Sequence, residues 1–453
     1  MARSRRSFVC RECGAESPAW AGRCTRCDTW ASIEEVDSTE AAASSARFAD
    51  VEVKRLDELV GTGAVPAPTG LDEADRVLGG GLTPGSVTLL GGEPGVGKST
   101  LTLQLAASVA GGGASALLVA GEEAPSQIAL RARRLGPVPE TLAVIDDTSV
   151  ESIVAALEAI RPLVAVVDSI QCARLDSIDG APGTVAQLKA VTERLVGAAK
   201  RLDTSVVLVG HLTKDGALAG PRVIEHLVDT VLSFGGDRSG ELRYLRAVKH
   251  RFGPTTEVGL FEMTPIGLSS VSDPSGRFLT DRQAGLPGSV VVATLEGRRP
   301  VLVEVQALTV DASPGNGHVT VQGVDGRRLA LVAAVLGRRA GCSLIRNDVF
   351  VSATGGATVT EPGVDLAMAI ALASSVGDFA VRSDVVACGE IGLGGELRSV
   401  PQLELRLQEA YRLGFRTALV PGSAPEGPTG MTVLRAGTVA EALAIVSRRP
   451  LAA

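Results

Sequence analysis

The chain has 453 residues, 45% of them apolar, and a net charge of −7 at pH 7. This length is too great for one ordinary core and suggests about three domains. No apolar run reaches the roughly 18 residues that a membrane span needs, and the N-terminal arginines are not followed by the apolar core of a signal peptide. We therefore expect a soluble cytoplasmic protein without membrane partners. The acidic balance gives no sign of a nucleic-acid-binding chain, although whole-chain charge can hide a local basic face.

The start of the chain carries two C-x-x-C pairs, formed by Cys10, Cys13, Cys24 and Cys27. Two such turns can place four thiolates tetrahedrally around Zn²⁺. Since residues 1–30 are too few to build an apolar core, the metal would supply the folding energy of a zinc-binding module. The alternatives are a disulfide pair or a redox C-x-x-C, and neither suits a cytosolic chain with two matched pairs. Arginines outnumber acids here, which either favours phosphate binding or is simply a solvated surface (Arg3, Arg5, Arg6, Arg11, Arg23 and Arg26).

Residues 31–60 are predicted to be a linker, because residues 41–46 have the sequence Ala-Ala-Ala-Ser-Ser-Ala. Within residues 61–275, short β-prone runs alternate with helical stretches, which is the pattern of a mostly parallel sheet with crossover helices. The fold class of this segment is therefore α/β. Its predicted strands are 87–90, 116–120, 142–145, 163–167, 205–209 and 231–234.

Residues 91–100 fit the pattern G-x-x-x-x-G-K-[ST] and lie between a predicted strand and a predicted apolar helix. Glycines allow such a loop to direct successive backbone N–H groups at phosphate oxygens, and the helix N-terminus adds its positive end. Lys98 would reach the β- and γ-phosphates, and Ser99 would complete the Mg²⁺ shell. The chain is therefore predicted to bind a nucleoside triphosphate through Gly92, Glu93, Pro94, Gly95, Val96, Gly97, Lys98, Ser99 and Thr100.

Two predicted strands lead into acidic residues. The apolar run 163–167 leads into Asp168, the Walker B arrangement that delivers a carboxylate to the Mg²⁺ shell. The alternative is a buried strand that simply ends at an Asp turn. The run 117–121 leads into Glu122 and Glu123, and a carboxylate here, with Glu122 favoured, could orient and deprotonate the attacking water. The alternative is an acidic N-cap region for the helix that begins near Ser126.

Basic residues follow two further runs. His211 and Lys214 lie in a polar loop after 205–209, at the edge where parallel sheets bind ligands, so they either sense the γ-phosphate, contact DNA or are merely solvated. Lys249 and Arg251 could form an arginine-finger element that acts on the nucleotide of a neighbouring subunit. On spacing alone, a solvated basic turn is the better interpretation of that cluster.

Residues 285–453 form a second globular block without a P-loop, in which residues 365–375 are predicted to form an apolar helix. Its first half is rich in arginine, including Arg338 and Arg339, and these side chains could track a phosphate backbone if they share a face. Scattered surface arginines are the alternative. The full set is Arg298, Arg299, Arg327, Arg328, Arg338, Arg339 and Arg346.

The motifs of the chain, and the order in which they follow one another, resemble those of the bacterial RadA family, also called Sms, a family of DNA-repair ATPases. The resemblance covers nearly the whole chain. The family motif Lys-Asn-Arg-Phe-Gly is present as Lys249-His250-Arg251-Phe252-Gly253, so His250 replaces the Asn and both cations are kept. The other stretches that carry the resemblance are the four-cysteine module, the P-loop, Pro68-Thr69-Gly70-Leu71-Asp72-Glu73, Gly121-Glu122-Glu123, Asp168-Ser169, Gly210-His211-Leu212-Thr213-Lys214, Gly220-Pro221-Arg222 and Glu225-His226.

The C-terminal block is similar to the Lon protease domain over residues 361–368 and 388–395. A Lon protease has a catalytic Ser just after the Pro of the first stretch and a catalytic Lys on a later helix. Here Gly363 stands at the Ser position, and Glu404 is aligned with the Lys. Because neither residue can serve a Ser–Lys dyad, peptidase activity is predicted to be absent.

The resemblance implies a RecA-like P-loop ATPase core with an N-terminal zinc module and a C-terminal Lon-protease-like α+β domain, using ATP, Mg²⁺ and Zn²⁺. It further implies a DNA-dependent ATPase of recombinational repair, a hexameric ring that processes recombination intermediates on single-stranded or branched DNA. Lys249 and Arg251 would reach across to the next subunit, Lys214 and Arg222 would grip DNA, and the zinc module would dock the recombinase (RecA). An ATP-driven regulatory switch that acts on protein partners remains the alternative.

Overall fold

A computed structural model of the chain describes residues 6–12, 15–17, 19–37, 55, 57, 65–211, 223–236, 242–312 and 317–447. The chain divides into two compact units, residues 1–64 and 65–453.

The N-terminal unit contains a small antiparallel sheet. Its described strands are β1 (Arg6–Cys10), β2 (Glu16–Ser17) and β3 (Ile33–Asp37), in the order β2-β1-β3. Every residue of β1 pairs with β3, and Cys10 lies opposite Ile33. The sheet therefore continues past residue 30, the predicted end of the module, into the predicted linker. The physical reason is that the short β2 satisfies only part of β1, so β1 needs β3 to complete its backbone hydrogen bonds.

The described residues between 65 and 270 form a sheet of nine strands. The strands are β4 (Val87–Gly92), β5 (Ala116–Ala120), β6 (Leu142–Ile145), β7 (Val164–Asp168), β8 (Ser205–His211), β9 (Thr230–Gly236), β10 (Leu242–His250), β11 (Val258–Thr264) and β12 (Gly267–Ser270). Their order is β12-β11-β10-β9-β4-β8-β7-β5-β6. Strands β4 to β9 are parallel, as predicted. Strands β10 to β12 extend the sheet with antiparallel pairs that the sequence did not predict.

Helices cover both faces of this sheet. They are α1 (Asp72–Val77), α2 (Lys98–Gly111), α3 (Pro125–Leu135), α4 (Val150–Ile160), α5 (Val185–Leu202) and α6 (Val223–Leu227). One apolar core contains α2 with strand residues such as Leu90, and a second contains α4 and α5 with neighbours such as Leu89. Because its strands are buried on both faces, this sheet shows continuous apolar runs instead of alternation.

The C-terminal block is an α+β domain. Its strands are β13 (Ser289–Glu296), β14 (Arg299–Asp311), β15 (Val319–Gln322), β16 (Asn347–Ala353), β17 (Val385–Ala387), β18 (Glu390–Ile391), β19 (Leu397–Arg398), β20 (Thr417–Pro421) and β21 (Thr432–Ala436). Its helices are α7 (Pro274–Leu279), α8 (Gly326–Arg339), α9 (Asp365–Val376), α10 (Leu403–Arg412) and α11 (Val439–Ser447). Within the described part, the larger sheet has the order β15-β16-β14-β13-β17-β20-β21, and β18 pairs with β19.

Helix α9 forms the centre of this block. Its residues from Asp365 to Ser374 are all buried, which explains why its sequence is apolar on every side. The predicted helix at 365–375 and the α+β fold class are both confirmed. Among the described helices of the whole chain, none combines the length and apolarity needed to cross a lipid bilayer.

Candidate nucleotide site and metal centre

The loop between β4 and α2 has the geometry of a phosphate-binding loop. Gly95 and Gly97 have φ angles of 78° and 111°, in the left-handed region that favours glycine. A Cβ on Gly92 would lie 2.3 Å from the carbonyl oxygen of Phe234 on β9, so no larger residue fits there. Because Gly97 is also the N-cap of α2, the loop brings its backbone N–H groups to the positive end of a helix.

Lys98, the first residue of α2, turns back into this loop. Its side chain is buried, and Nζ donates hydrogen bonds to the carbonyl oxygens of Gly92 (2.9 Å) and Glu93 (3.0 Å). Burial lowers the pKa of Lys98, whereas the nearby Asp168 and Glu122 carboxylates raise it. The ammonium group is thus held inside the curve of the loop, where phosphates would bind.

Asp168, the last residue of β7, meets the start of α2. Its carboxylate accepts a hydrogen bond from the Ser99 hydroxyl, which lowers its pKa, but burial has the larger effect and raises that pKa. A carboxylate and a hydroxyl beside a phosphate loop are the hard oxygen ligands that Mg²⁺ prefers. Ser99 and Asp168 therefore fit Mg²⁺, which would neutralise phosphate charge during hydrolysis.

The two acids that follow β5 have different partners. Glu122 is exposed, and its Oε1 accepts a 2.5 Å hydrogen bond from the Ser169 hydroxyl. Glu123 forms an ion pair with Arg131 of α3, and its Oε2 is buried without a hydrogen-bond partner in the described part of the chain. Both acids line one cleft with Asp168. Because Glu123 is held by its ion pair with Arg131 whereas Glu122 is exposed in the cleft, the geometry favours Glu122 as the residue that orients water.

Strand β8 runs beside the P-loop strand and leads into the predicted DNA-gripping loop. His211, at its end, pairs with Gly92 at the start of the P-loop. Lys214 and Arg222 themselves lie outside the described residues.

The predicted arginine-finger residues make contacts within their own chain. Lys249, near the end of β10, donates to the carbonyl oxygens of Glu225 (2.9 Å) and Val228 (2.7 Å). Arg251, in the turn that follows, donates to Asp229 at 2.9 Å, and the other oxygen of Asp229 accepts a backbone N–H of β4. Both cations therefore attach the segment from α6 to β9 to the central sheet, which a merely solvated basic turn would not do.

Ser169, Arg131 and Arg243 make contacts at the site that the sequence did not predict. Arg243 of β10 donates through Nε to the carbonyl oxygen of Val96 in the P-loop, at 3.2 Å. Ser169 could have been suspected because it follows Asp168 directly. Arg131 lies in α3 and pairs with Glu123 in the loop before it, and Arg243 lies in β10 and pairs with Val96 in the P-loop. No rule of sequence spacing predicts either contact.

The cysteine cluster of the N-terminal unit fits a zinc ion. The sulfur atoms of Cys10, Cys24 and Cys27 all lie within 4.8 Å of one another, and those of Cys10 and Cys27 are 3.6 Å apart. This spacing is what Zn–S bonds of about 2.3 Å in a tetrahedron require. The backbone N–H of Arg26 donates to the Cys24 sulfur at 3.4 Å, a contact typical of the surroundings of a metal-bound thiolate. Cys13, the fourth predicted ligand, lies outside the described residues.

In the C-terminal block, the side chain that faces Gly363 is that of Arg406, whereas Glu404, which is aligned with the Lon lysine, does not contact Gly363 in the described structure. A Cβ on Gly363 would lie 3.1 Å from Nη1 of Arg406. Glu404 lies in the first turn of α10, where Gln408 donates to it at the helix surface, whereas Arg406 points into the core. Arg406 donates from Nη1 and Nη2 to the two carboxylate oxygens of Glu361 and to the carbonyl oxygen of Ala293.

The arginines in the first half of this block do not share a face. Arg299 and Arg328 form ion pairs with the buried acids Glu73 and Asp365 and so do not belong to an open surface. Arg338 and Arg339 lie in the exposed last turn of α8. The prediction of a continuous phosphate-tracking face is therefore reduced to these two residues and their exposed neighbours.

Three parts of the chain match known domain families. Residues 8–35 match the rubredoxin metal binding domain, residues 58–217 the AAA domain, and residues 340–427 the Lon protease (S16) C-terminal proteolytic domain. The zinc module, the P-loop ATPase core and the Lon-like block predicted from the sequence are thus confirmed, with ATP, Mg²⁺ and Zn²⁺ as the cofactors they imply.

The chain is also similar over its length to curated proteins named DNA repair protein RadA. The protein from Pseudomonas aeruginosa is 46% identical over 98% of this chain and 99% of its own length. That from Mycobacterium tuberculosis (strain H37Rv) is 44% identical over 98% of this chain and 93% of its own. That from Bacillus subtilis (strain 168) is 42% identical over 98% and 99%. The chain therefore belongs to the RadA family of DNA repair proteins.

Proposed function

We propose that this DNA repair ATPase is DNA-dependent and works as a hexameric ring on single-stranded or branched DNA. Each cycle of hydrolysis would extend or migrate the branched heteroduplex that a recombinase makes. The zinc module would dock the recombinase filament. Lys98, Ser99, Asp168 and Glu122 would carry the hydrolysis.

The observation that supports DNA dependence best is the register of β4 and β8. Gly92 opens the P-loop, and its partner His211 lies one residue before the segment that carries Lys214 and Arg222. A change in the phosphate loop would therefore reach the end of β8, after which the sequence continues to Lys214 and Arg222, the residues proposed to grip DNA. Arg338 and Arg339 on α8 offer a second, exposed basic site for a phosphate backbone.

The ring is inferred from the family motif Lys249–Gly253 at the end of β10. Lys249 and Arg251 lie near the surface, and their present partners are two carbonyl groups and Asp229. In a ring, the same cations would reach the γ-phosphate bound by the next subunit, where an arginine finger stabilises the charge of the transition state.

Peptide hydrolysis is not part of the proposed function. Gly363 has no nucleophile, and the neighbouring Arg406 is buried and paired with Glu361, so it cannot act as a neutral base. The block keeps the Lon fold as a scaffold.

The alternative function is an ATP-driven switch for protein partners, which the net charge of −7 favours. Steady-state ATP hydrolysis with and without single-stranded DNA, across a salt series, separates the two functions. Stimulation that fades with rising salt supports a motor that contacts phosphates. Hydrolysis that is indifferent to DNA at every salt concentration would favour the switch, and Lys98→Ala provides the background rate.

A further inference from the structure

The turn between β13 and β14, residues 296–299, is a contact between the Lon-like block and the ATPase core, and we call it the docking turn. The backbone N–H of Arg298 donates to the carbonyl oxygen of Thr256 at 2.9 Å. Gly297 has a φ of 64°, and a Cβ there would lie 2.5 Å from Cγ2 of Val258 and 2.6 Å from the Thr256 oxygen. The two backbones thus approach so closely that only glycine fits.

A buried ion pair fixes one side of the docking turn. Arg299 pairs with Glu73 of α1, and their side chains are only 10% and 1% exposed. Oε2 of Glu73 also accepts the backbone N–H of Leu260 at 2.8 Å. Nη2 of Arg299 donates to the carbonyl oxygens of Val271 (3.1 Å) and Ser272 (2.6 Å). Because both charged groups have further hydrogen-bond partners, the pair holds the turn in one position.

A second ion pair joins the docking turn to strand β10. Nη2 of Arg246 lies 2.6 Å from Oε2 of Glu296, and this pair is more exposed than the first. The same strand contacts the P-loop through Arg243, and it contacts α6 and the residue that follows α6 through Lys249. Strand β10 therefore touches the nucleotide loop and the Lon-like block, and it carries Lys249 of the predicted arginine-finger element.

We propose that β10 transmits the nucleotide state of the P-loop to the Lon-like block through the Arg246–Glu296 contact, with Glu73 and Arg299 as positioning residues for the docking turn. The proposal rests on the nucleotide site but not on DNA. A P-loop that rearranges around phosphates moves the Val96 carbonyl, which is a hydrogen-bond partner of Arg243. Since β10 is hydrogen-bonded to β9 on one side and to β11 on the other, it moves together with these strands and carries the Arg246 side chain with it.

Hydrogen–deuterium exchange of the full-length, zinc-loaded protein tests this coupling without DNA. The states compared are nucleotide-free, ADP-bound and bound to a non-hydrolysable ATP analogue. In the wild type, exchange at 296–299 and at the start of β14 should change with nucleotide, together with the expected protection of the P-loop. The double variant Arg246→Gln/Glu296→Gln should keep the protection of the P-loop and lose the response of the docking turn.

A matched control removes another exposed ion pair. Arg201→Gln breaks the pair with Glu158 that joins α5 to α4, and it should leave the response of the docking turn intact. Arg299→Gln should raise exchange at the turn in every nucleotide state, because docking itself is then lost. The proposal is overturned if the wild-type turn ignores nucleotide, or if the double variant responds as the wild type does. Neither result bears on DNA-stimulated hydrolysis, so the proposed function can fail or stand separately.

Discussion

Ser169 donates a 2.5 Å hydrogen bond to the carboxylate of Glu122, although the two residues are 47 positions apart in the chain. Ser169 is itself buried and directly follows Asp168, so one strand end supplies both the proposed magnesium ligand and the hydroxyl that orients the proposed base. This contact leads to the first prediction.

Glu122→Gln should lower kcat by roughly 10²–10⁴, the usual contribution of a positioned general base, and leave ATP binding almost unchanged. Ser169→Ala should lower kcat by about tenfold, because the carboxylate loses its orientation and keeps its charge. Steady-state hydrolysis and equilibrium binding of a fluorescent ATP analogue measure the two effects. Glu123→Gln is the matched control, and a larger loss of kcat in that variant would reverse the assignment.

Lys98→Ala should abolish ATP hydrolysis and leave the fold intact. The ammonium group that cancels phosphate charge is removed, whereas the loop is still shaped by Gly92, Gly95 and Gly97. Hydrolysis and the circular dichroism spectrum test the two parts of this prediction. Lys189→Ala, on the exposed face of α5, is the control and should hydrolyse ATP at the normal rate. Wild-type turnover in Lys98→Ala would show that the site has been placed wrongly.

The features predicted correctly from the sequence depend on local patterns. The P-loop, the apolar run before Asp168 and the buried helix α9 are each encoded by consecutive residues, so spacing rules suffice. The features that were missed depend on pairing across long stretches of chain. Strand β3 is recognisable only through its pairing with β1, and Arg406 meets Gly363 only when α10 packs on the sheet. The hydrogen bond between Ser169 and Glu122 likewise needs β5 and β7 to be neighbours.

Cys24→Ser should release zinc and unfold the N-terminal module alone. Cys24 is buried among the cysteine sulfur atoms, and a segment this small has little other core to keep it folded. Metal analysis should find one zinc per chain in the wild type and close to none in the variant, while basal ATP hydrolysis persists. Cys342→Ser, outside the cluster, is the control. Unchanged zinc content in Cys24→Ser would refute the site.

Arg406→Ala should destabilise the Lon-like block by about 3 kcal/mol, because Glu361 loses its charged partner next to the core and keeps only the backbone N–H of Leu295. This value is at the lower end of the range usual for breaking a buried ion pair, because the Glu361 side chain is 25% exposed and water can partly solvate it. Thermal unfolding followed by calorimetry should show a lower midpoint for this block. A midpoint equal to that of the wild type would contradict a structural role for Arg406.

The same variant should expose Cys388, which offers an independent readout. Burial raises the pKa of the Cys388 thiol to about 12, so it should react very slowly with a thiol reagent at pH 8. Labelling followed by mass spectrometry of the peptide that contains Cys388 should be faster in Arg406→Ala than in Arg406→Lys, which keeps a cation at the site.

His250→Asn restores the residue that the family motif usually has, and it should flatten the dependence of stability on pH. The Nε2 atom of His250 lies 3.2 Å from the carbonyl oxygen of Leu78, and Nδ1 lies 2.9 Å from the Thr230 hydroxyl. Because a carbonyl oxygen only accepts, Nε2 carries a proton here, and in the neutral ring Nδ1 accepts from the Thr230 hydroxyl.

Burial lowers the pKa of His250 below its ordinary value of 6.5, although the hydrogen bond to Leu78 acts in the opposite direction. The unfolded chain then binds a proton at a higher pH than the folded chain does. The stability that the neutral histidine contributes is therefore complete above pH 6.5 and declines as the pH falls from there through the lowered pKa. Denaturation midpoints measured between pH 8 and pH 5 should decline more steeply in the wild type than in His250→Asn, and parallel curves would show that His250 does not titrate in this range.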